Sequence, residues 1–374
     1  MIPAAGIGLA AVAAVAAIAA VFFRKLGLRV VGARPRRKPI VAAGVGSAVV
    51  QLEASPEAVA AGSHALRFGA NFSEHGILGP MQTNSNGSVT RSIHGLSQPL
   101  PPGSWPAVIT GYPPMETHPL AGRITNVVVP GPDGAQLPAW YIPGPSSHWT
   151  IHVQGIRTSR EVTLRSMDRT VAAGLPTLSV TYRGAGESSE VDRSTLGQRE
   201  WKDLLASVEF ARERGAGRVT VVGWSMGAGV ALELARRVPS AVDNLILIAP
   251  ATDWPQVIRH GAARAHLPQW VGGAAVRFIG SRLGAQLLGL PERLEVDRLK
   301  WSGHGDLSVP ALVIHSRGDQ EIPYAISEAF AAAHPELVTL VEFPATPHAW
   351  EANADPDLFA QVFASFLGSS QRQN

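Results

Sequence analysis

The 374-residue chain contains no cysteine. That excludes disulfides, thiolate metal sites and cysteine nucleophiles, and it leaves open on which side of a membrane the protein works. Acidic residues are missing from positions 1–47, and residues 2–23 carry no charge of either sign. No Walker A sequence and no H-E-x-x-H occur, so neither a P-loop nor a helical zinc pair is indicated. What remains is ordinary for a folded protein, with 45% hydrophobic and 16% charged residues. A chain of this length and composition builds one large domain with insertions, or two domains, around a sizeable core.

The net charge of +3 has one source, the run Arg24, Lys25, Arg29, Arg34, Arg36, Arg37 and Lys38. Removing those seven from the 32 basic residues leaves 25 against 29 acidic ones, a balance of −4 for the rest. The body therefore carries no electrostatic footprint for nucleic acid. As a helix, residues 2–23 would reach roughly 33 Å, enough to cross a bilayer's hydrocarbon core. Positive charge follows this apolar run instead of preceding it, which points to an anchor, with a signal-like or soluble helical arm as the alternative. By the positive-inside rule residues 24–38 stay cytoplasmic, giving a single-pass N-out anchor over residues 1–25 and a body on the cytoplasmic side.

Residues 26–122 read as a basic juxtamembrane segment followed by a Pro/Gly-rich arm that packs on the domain after it. Ser55-Pro56-Glu57 is a good helix start, and the pattern carries the helix to His64. Beyond it lie turn-rich stretches, with seven prolines between 98 and 119. Two glycosylation triplets, at Asn71 and Asn86, carry no weight because such triplets are common by chance.

From residue 123 the pattern becomes regular. A hairpin over 124–129 and 136–142 turns on Gly131-Pro132-Asp133-Gly134. Strands over 149–153, 177–182, 219–222, 244–248, 311–315 and 338–343 alternate with helices over 160–173, 197–214, 226–237, 322–333 and 358–367. Alternation of this kind implies right-handed crossovers and a parallel sheet, with ligands beyond the strands' carboxyl ends. The core falls in two parts, 123–250 and 310–374. Between them the alternation pauses over residues 251–309, which are rich in short helical patterns and carry Trp254, Trp270 and Trp301.

The centre of this pattern is residues 218–238, RVTVVGWSMGAGVALELARRV, in which a strand runs into G-x-S-x-G and then a helix. A serine hydroxyl needs a sharp turn, a base and preorganised donors before it reacts. Ser225 has the turn, Gly223 and Gly227 keep Cβ atoms out of the crowded elbow, and Met226 opens the helix with a backbone N–H for an oxyanion. A base and a group to orient it should lie on loops past later strands. Asp319 directly follows strand 311–315, and His348 directly follows strand 338–343. Glu321 is the alternative carboxylate, His315 reads as a packed strand-end residue, and His304 and Asp306 as lid or linker. A second oxyanion N–H is expected from loop 154–160, at Ile156 or else at Arg157.

Taken together, the elbow GWSMG, the acid loop SRGDQEIP and the histidine loop PHAW resemble the α/β-hydrolase superfamily over about residues 123–367. The nearest subgroup is the serine aminopeptidase-like and acylglycerol-lipase-like hydrolases, some of which carry an N-terminal membrane helix. This resemblance implies an α/β fold with a mostly parallel eight-stranded sheet flanked by helices and a helical cap over residues 251–309, whose tryptophans either line an acyl-chain pocket or seal the lid onto the sheet. It implies Ser225 as nucleophile, His348 as base and then acid, and Asp319 as the group that fixes the His348 tautomer. Gln154, Gly155 and Trp224 are expected to line the substrate, although relatives usually have His-Gly where this chain has Gln154-Gly155. Arg183-Gly184-Ala185-Gly186-Glu187-Ser188 resembles a recurring family loop that shapes the site's floor, and it lacks the third glycine of a dinucleotide motif. The expected activity is hydrolysis of a carboxyl ester, lipid- or acylglycerol-like, through an acyl-enzyme, with no cofactor and no metal. Peptidase or acyltransferase chemistry on the same residues, or a non-catalytic tethered scaffold, are the alternatives.

Overall fold

The computed structural model describes residues 4–34, 38–85, 87–185, 193–303 and 307–371. It begins with a helix, α1 (Ala4–Val31). Among the described residues no helix is long and apolar enough to cross a membrane. Arg24, Lys25 and Arg29 lie inside α1, and its C-terminal part is committed to the rest of the protein. Phe23 packs on Phe278 with ring centroids 5.9 Å apart, Arg24 Nε donates to Leu287 O at 2.9 Å, and Val31 is fully buried in the main core. The expected anchor, its juxtamembrane spacer, the N-out orientation and the placing of the catalytic body at a cytoplasmic membrane face are corrected accordingly.

The stretch read as an irregular arm is a second folded unit. Strands β1 (Ile40–Gly44), β2 (Val49–Glu53), β3 (His64–Phe68), β4 (Glu74–Ser85), β5 (Ser88–His94) and β6 (Ser104–Thr110) close into an antiparallel barrel in the order β1-β2-β5-β4-β3-β6. Closure leaves no open sheet edge. Alternate residues fill the interior, among them Val50, Leu52, Leu66, Phe68, Val89 and Ile93. The helix expected over 55–64 is one turn, α2 (Pro56–Val59), capped by the Ser55 hydroxyl. It stops because Gly62, at φ +89°, turns the chain into β3, whose backbone pairs on both sides. Arg91 lies inside the barrel and donates to the carbonyls of Gly79, Ala58, Ala60 and Gly62 at 2.6–3.2 Å. Three of those bonds hold α2 and the turn that leads to β3, and the fourth, to Gly79, reaches β4.

The larger unit is an eight-stranded sheet built from β7 (Thr125–Pro130), β8 (Gln136–Ile142), β9 (His148–Val153), β10 (Thr177–Val180), β11 (Arg218–Trp224), β12 (Asn244–Ile248), β13 (Ala311–Ser316) and β14 (Val338–Phe343). Its order is β14-β13-β12-β11-β9-β10-β8-β7; all pairs are parallel except the β7–β8 hairpin and its junction with β10. Every residue of β9, β12 and β13 is buried, because helices cover both faces. On one face lie α4 (Trp201–Arg212) and α5 (Met226–Arg237), with the end of α1. On the other, α11 (Pro356–Gln371) packs Phe359, Phe363 and Leu367. Between β12 and β13 come α6 (Trp254–Arg264), α7 (Gln269–Ile279) and α8 (Arg282–Leu288). Trp254 and Trp301 of this insertion are buried in the main core, which favours sealing over lining, whereas Trp270 is 67% exposed.

Candidate active site

Strand β11 ends at Trp224, and Ser225 takes φ +53° before α5 begins. A non-glycine residue held there is strained, and the crowding around it explains what holds it. A Cβ at Gly223 would stand 2.6 Å from Ala228 N, and one at Gly227 would stand 2.3 Å from Val153 O. Only glycine lets strand, turn and helix approach this closely. The turn lifts the Ser225 hydroxyl to the carboxyl edge of the sheet, at the N-terminus of α5, where backbone N–H groups lack intrahelical acceptors.

Two later loops meet it there. His348 Nε2 lies 2.8 Å from Ser225 Oγ, and His348 Nδ1 lies 2.6 Å from Asp319 Oδ2. Asp319 is itself fixed by its own loop, since its Oδ1 accepts the N–H groups of Glu321 and Ile322 at 2.8 and 2.9 Å. Ser316 Oγ ties the acid loop to the histidine loop by accepting from Gly318 N and Thr346 N and donating to Pro344 O. Glu321, the alternative carboxylate, faces Lys38 at 3.4 Å and is half exposed.

Electrostatics follow from this packing. Burial alone would raise the Asp319 pKa, but the His348 charge and hydrogen bonds from His315 and His348 outweigh it and hold the carboxyl well below its ordinary range. Burial alone would lower the His348 pKa, but the Asp319 charge and hydrogen bond, with Glu321 and Glu351 adding to them, raise it to about 9.

Sequence reasoning missed three neighbours. His315, taken as a strand-end packing residue, has Nε2 3.1 Å from Asp319 Oδ2 and Nδ1 2.8 Å from Ser327 Oγ. Glu351 is fully buried with neither carboxyl oxygen hydrogen-bonded, and burial followed by the Asp319 charge pushes its pKa up to about 8. Donor atoms of His315, Asp319 and Glu351 lie within 4.8 Å of one another, the spacing of a metal-binding set, although Asp319 Oδ2 already serves two imidazoles. Arg165 stacks over Trp224 at 4.3 Å and donates to Ala349 O and Asn353 Oδ1, both at 2.7 Å. Only the four-residue step from His315 to Asp319 is visible in the sequence; the other contacts depend on where chain distant in sequence comes to lie.

The remaining expected residues divide. Gly155 stands against Ser225, a Cβ on it falling 3.1 Å from the serine Cβ, and Ile156 beside it is half buried. Gln154 is fully buried with both side-chain polar atoms unpaired, and its carbonyl accepts from the Tyr182 hydroxyl at 3.2 Å. Trp224 is a correction: it is fully buried, packs on Phe359 and donates from Nε1 to Ser166 Oγ at 3.0 Å, so it is a core residue and does not face substrate. Its position follows from the alternation of β11, which sends residue 224 to the α11 face. Residues 186–188 of the expected floor loop, and His304 and Asp306, lie outside the described residues.

A search of known families matches residues 93–362 to the alpha/beta hydrolase family. No curated protein matches the chain. Solved structures with the same fold include an esterase from Pyrococcus furiosus (21% identity, TM-score 0.52, 66% of this chain and 91% of that one). Mouse alpha/beta hydrolase domain-containing protein 10 matches with 17% identity, TM-score 0.52, and 66% and 99% of the two chains. Est1E from Butyrivibrio proteoclasticus matches with 17% identity, TM-score 0.50, and the same two shares.

Proposed function

The chain belongs to the alpha/beta hydrolase family, and we propose that it is a serine esterase in which Ser225, His348 and Asp319 form the catalytic triad. The observation that carries this reading is the unbroken hydrogen-bonded path from the Ser225 hydroxyl through both nitrogens of His348 to a buried carboxylate. In the first step Ser225 Oγ attacks the ester carbonyl while its proton passes to His348 Nε2. The carbonyl oxygen becomes an oxyanion that accepts from Met226 N–H and from Ile156 N–H. Collapse expels the alcohol, which takes the proton from His348, and leaves an acyl-enzyme. Water then attacks, His348 takes its proton, and the carboxylic acid departs as Ser225 regains its hydrogen. Asp319 holds Nδ1–H and stabilises the imidazolium of both half-reactions.

The lipid- or acylglycerol-like substrate expected from the sequence rested on the anchor, and with the anchor corrected that narrowing is dropped. An ester is the first acyl donor to test because one matched fold is an esterase. A fluorophosphonate probe should label wild type and fail on Ser225→Ala, and p-nitrophenyl acetate should be turned over only by wild type. Equal labelling of the two proteins would remove the reading.

A further inference from the structure

Arg157 sits in loop 154–160, on the oxyanion side of Ser225, with φ +64°. A non-glycine residue stays in that left-handed region only where something beyond the loop over-determines it. Here that something is the end of α1. The Arg157 guanidinium donates from Nε to Gly32 O at 2.9 Å, and from Nη2 to Val30 O at 3.1 Å and to Arg29 O. Helix ends leave such carbonyls without intrahelical donors, and a cation there meets the negative pole of the helix.

The clamp stands on a docked helix. Val31 is fully buried, its carbonyl accepts from Ser194 N at 2.8 Å, and Gly32 bridges to Arg193. Further back, a Cβ on Gly27 would fall 2.8 Å from the Leu288 side chain, so α1 lies directly against α8. A shift of α1 over α8 would move the carbonyls that Arg157 grips. It would also move the backbone of residues 155–157, which borders the serine at Gly155.

We propose that Arg157 is a positioning residue whose clamp on the C-terminal carbonyls of α1 sets the oxyanion-side loop, making the N-terminal helix a working part of the acyl-transfer site. This rests on the esterase reading for its catalytic consequence, but not for its structural one. A guanidinium that did nothing but cap the helix would, on removal, reduce the fraction of folded protein and leave each folded site unchanged.

The test uses the full chain as wild type, Arg157→Ala, Arg157→Lys and Gly27→Leu, the last lying away from the serine. Hydrogen exchange of the amides in 154–160 reads the clamp without needing turnover. It should quicken at least tenfold in Arg157→Ala and Gly27→Leu, with Arg157→Lys between them and wild type because lysine keeps the charge but not the fork. Turnover of p-nitrophenyl acetate per fluorophosphonate-titrated site should fall about 100-fold in Arg157→Ala, the scale of a small misplacement of catalytic groups, with KM within twofold. Unchanged exchange in the folded variants overturns the proposal, as does unchanged turnover per titrated site. If wild type takes no label the esterase reading fails, and the exchange comparison alone decides the clamp. If Arg157→Ala does not fold, Arg157→Lys and Gly27→Leu carry both comparisons.

Discussion

The barrel and the parallel sheet bury their interiors by different rules, and the difference shows which parts of this chain depend on which. Strands β9, β12 and β13 are buried at every position, so the sheet is covered on both faces by its own helices. Barrel strands such as β2 and β5 bury only alternate residues and present the others outward. The sheet's core takes no residue from the barrel strands, although the end of α1 adds Val31 to it. The barrel is less self-contained, because its core includes Trp350, two residues beyond His348 in the histidine loop. That tryptophan stacks on His64 with ring centroids 4.5 Å apart, and Asn353 beyond it donates to Ser63 O and Gly111 O at 2.8 and 2.7 Å. The small unit therefore completes itself with a piece of the large one, and the piece it borrows carries the proposed base.

The sharpest separation of the two units is chemical. Asp319→Asn keeps size and shape, leaves the barrel untouched and replaces the carboxylate facing His348 with an amide. On the triad reading kcat for p-nitrophenyl acetate should fall roughly 10⁴-fold, the loss seen when the base is held in the wrong tautomer. Far-ultraviolet circular dichroism and the barrel's exchange protection should match wild type. A variant within tenfold of wild type would mean that Asp319 does not orient His348, and chemistry could not then be assigned to the sheet loops alone.

Next in size is the shared side chain. Trp350→Ala removes an aromatic residue from the barrel interior, which typically costs about 3–5 kcal/mol. Urea unfolding should show one transition in wild type, since Trp350 of the histidine loop completes the barrel's core, and in the variant an early barrel transition ahead of the sheet. A single, unshifted transition would show that the barrel closes without its borrowed residue.

What the sequence revealed follows the same division. Buried parallel strands appear as unbroken apolar runs, so β11, β12 and β13 were placed to within a residue or two. Once strand ends are known, the residues just past them, Ser225, Asp319 and His348, must gather at one edge. Barrel strands gave no such run: β1 ends in Ala42-Ala43-Gly44 after only two larger apolar residues, β4 contains Gly76, Gly79 and Pro80, and β6 contains Pro106, so the segment reads as turns. In α1 the uncharged, alanine-rich first part hid the docking face, which lies around the charges, at Phe23, Gly27 and Val31. Glu351 was invisible for another reason: what marks it is desolvation beside Asp319, a property of the fold and not of its neighbours in sequence.

Glu351 also supplies the finest probe of the junction, because it directly follows Trp350. Its ordinary pKa of 4.5 is raised to about 8 in the fold, so the native state favours the protonated form. The stability this group contributes is complete below about pH 4.5 and is lost as pH climbs through about 8. Glu351→Gln mimics the protonated carboxyl and should raise Tm relative to wild type at pH 8 while changing it little at pH 4.5. The same substitution removes a negative charge that helps keep His348 protonated. Because the proposed base must be neutral to act, kcat/KM in wild type should rise with pH toward about 9, and the variant's rise should come earlier by less than about one pH unit. A rise at unchanged pH, with a Tm difference that is equal at both pH values, would show that this carboxyl is not electrically coupled to the proposed triad, and the junction would then join the two units by packing alone.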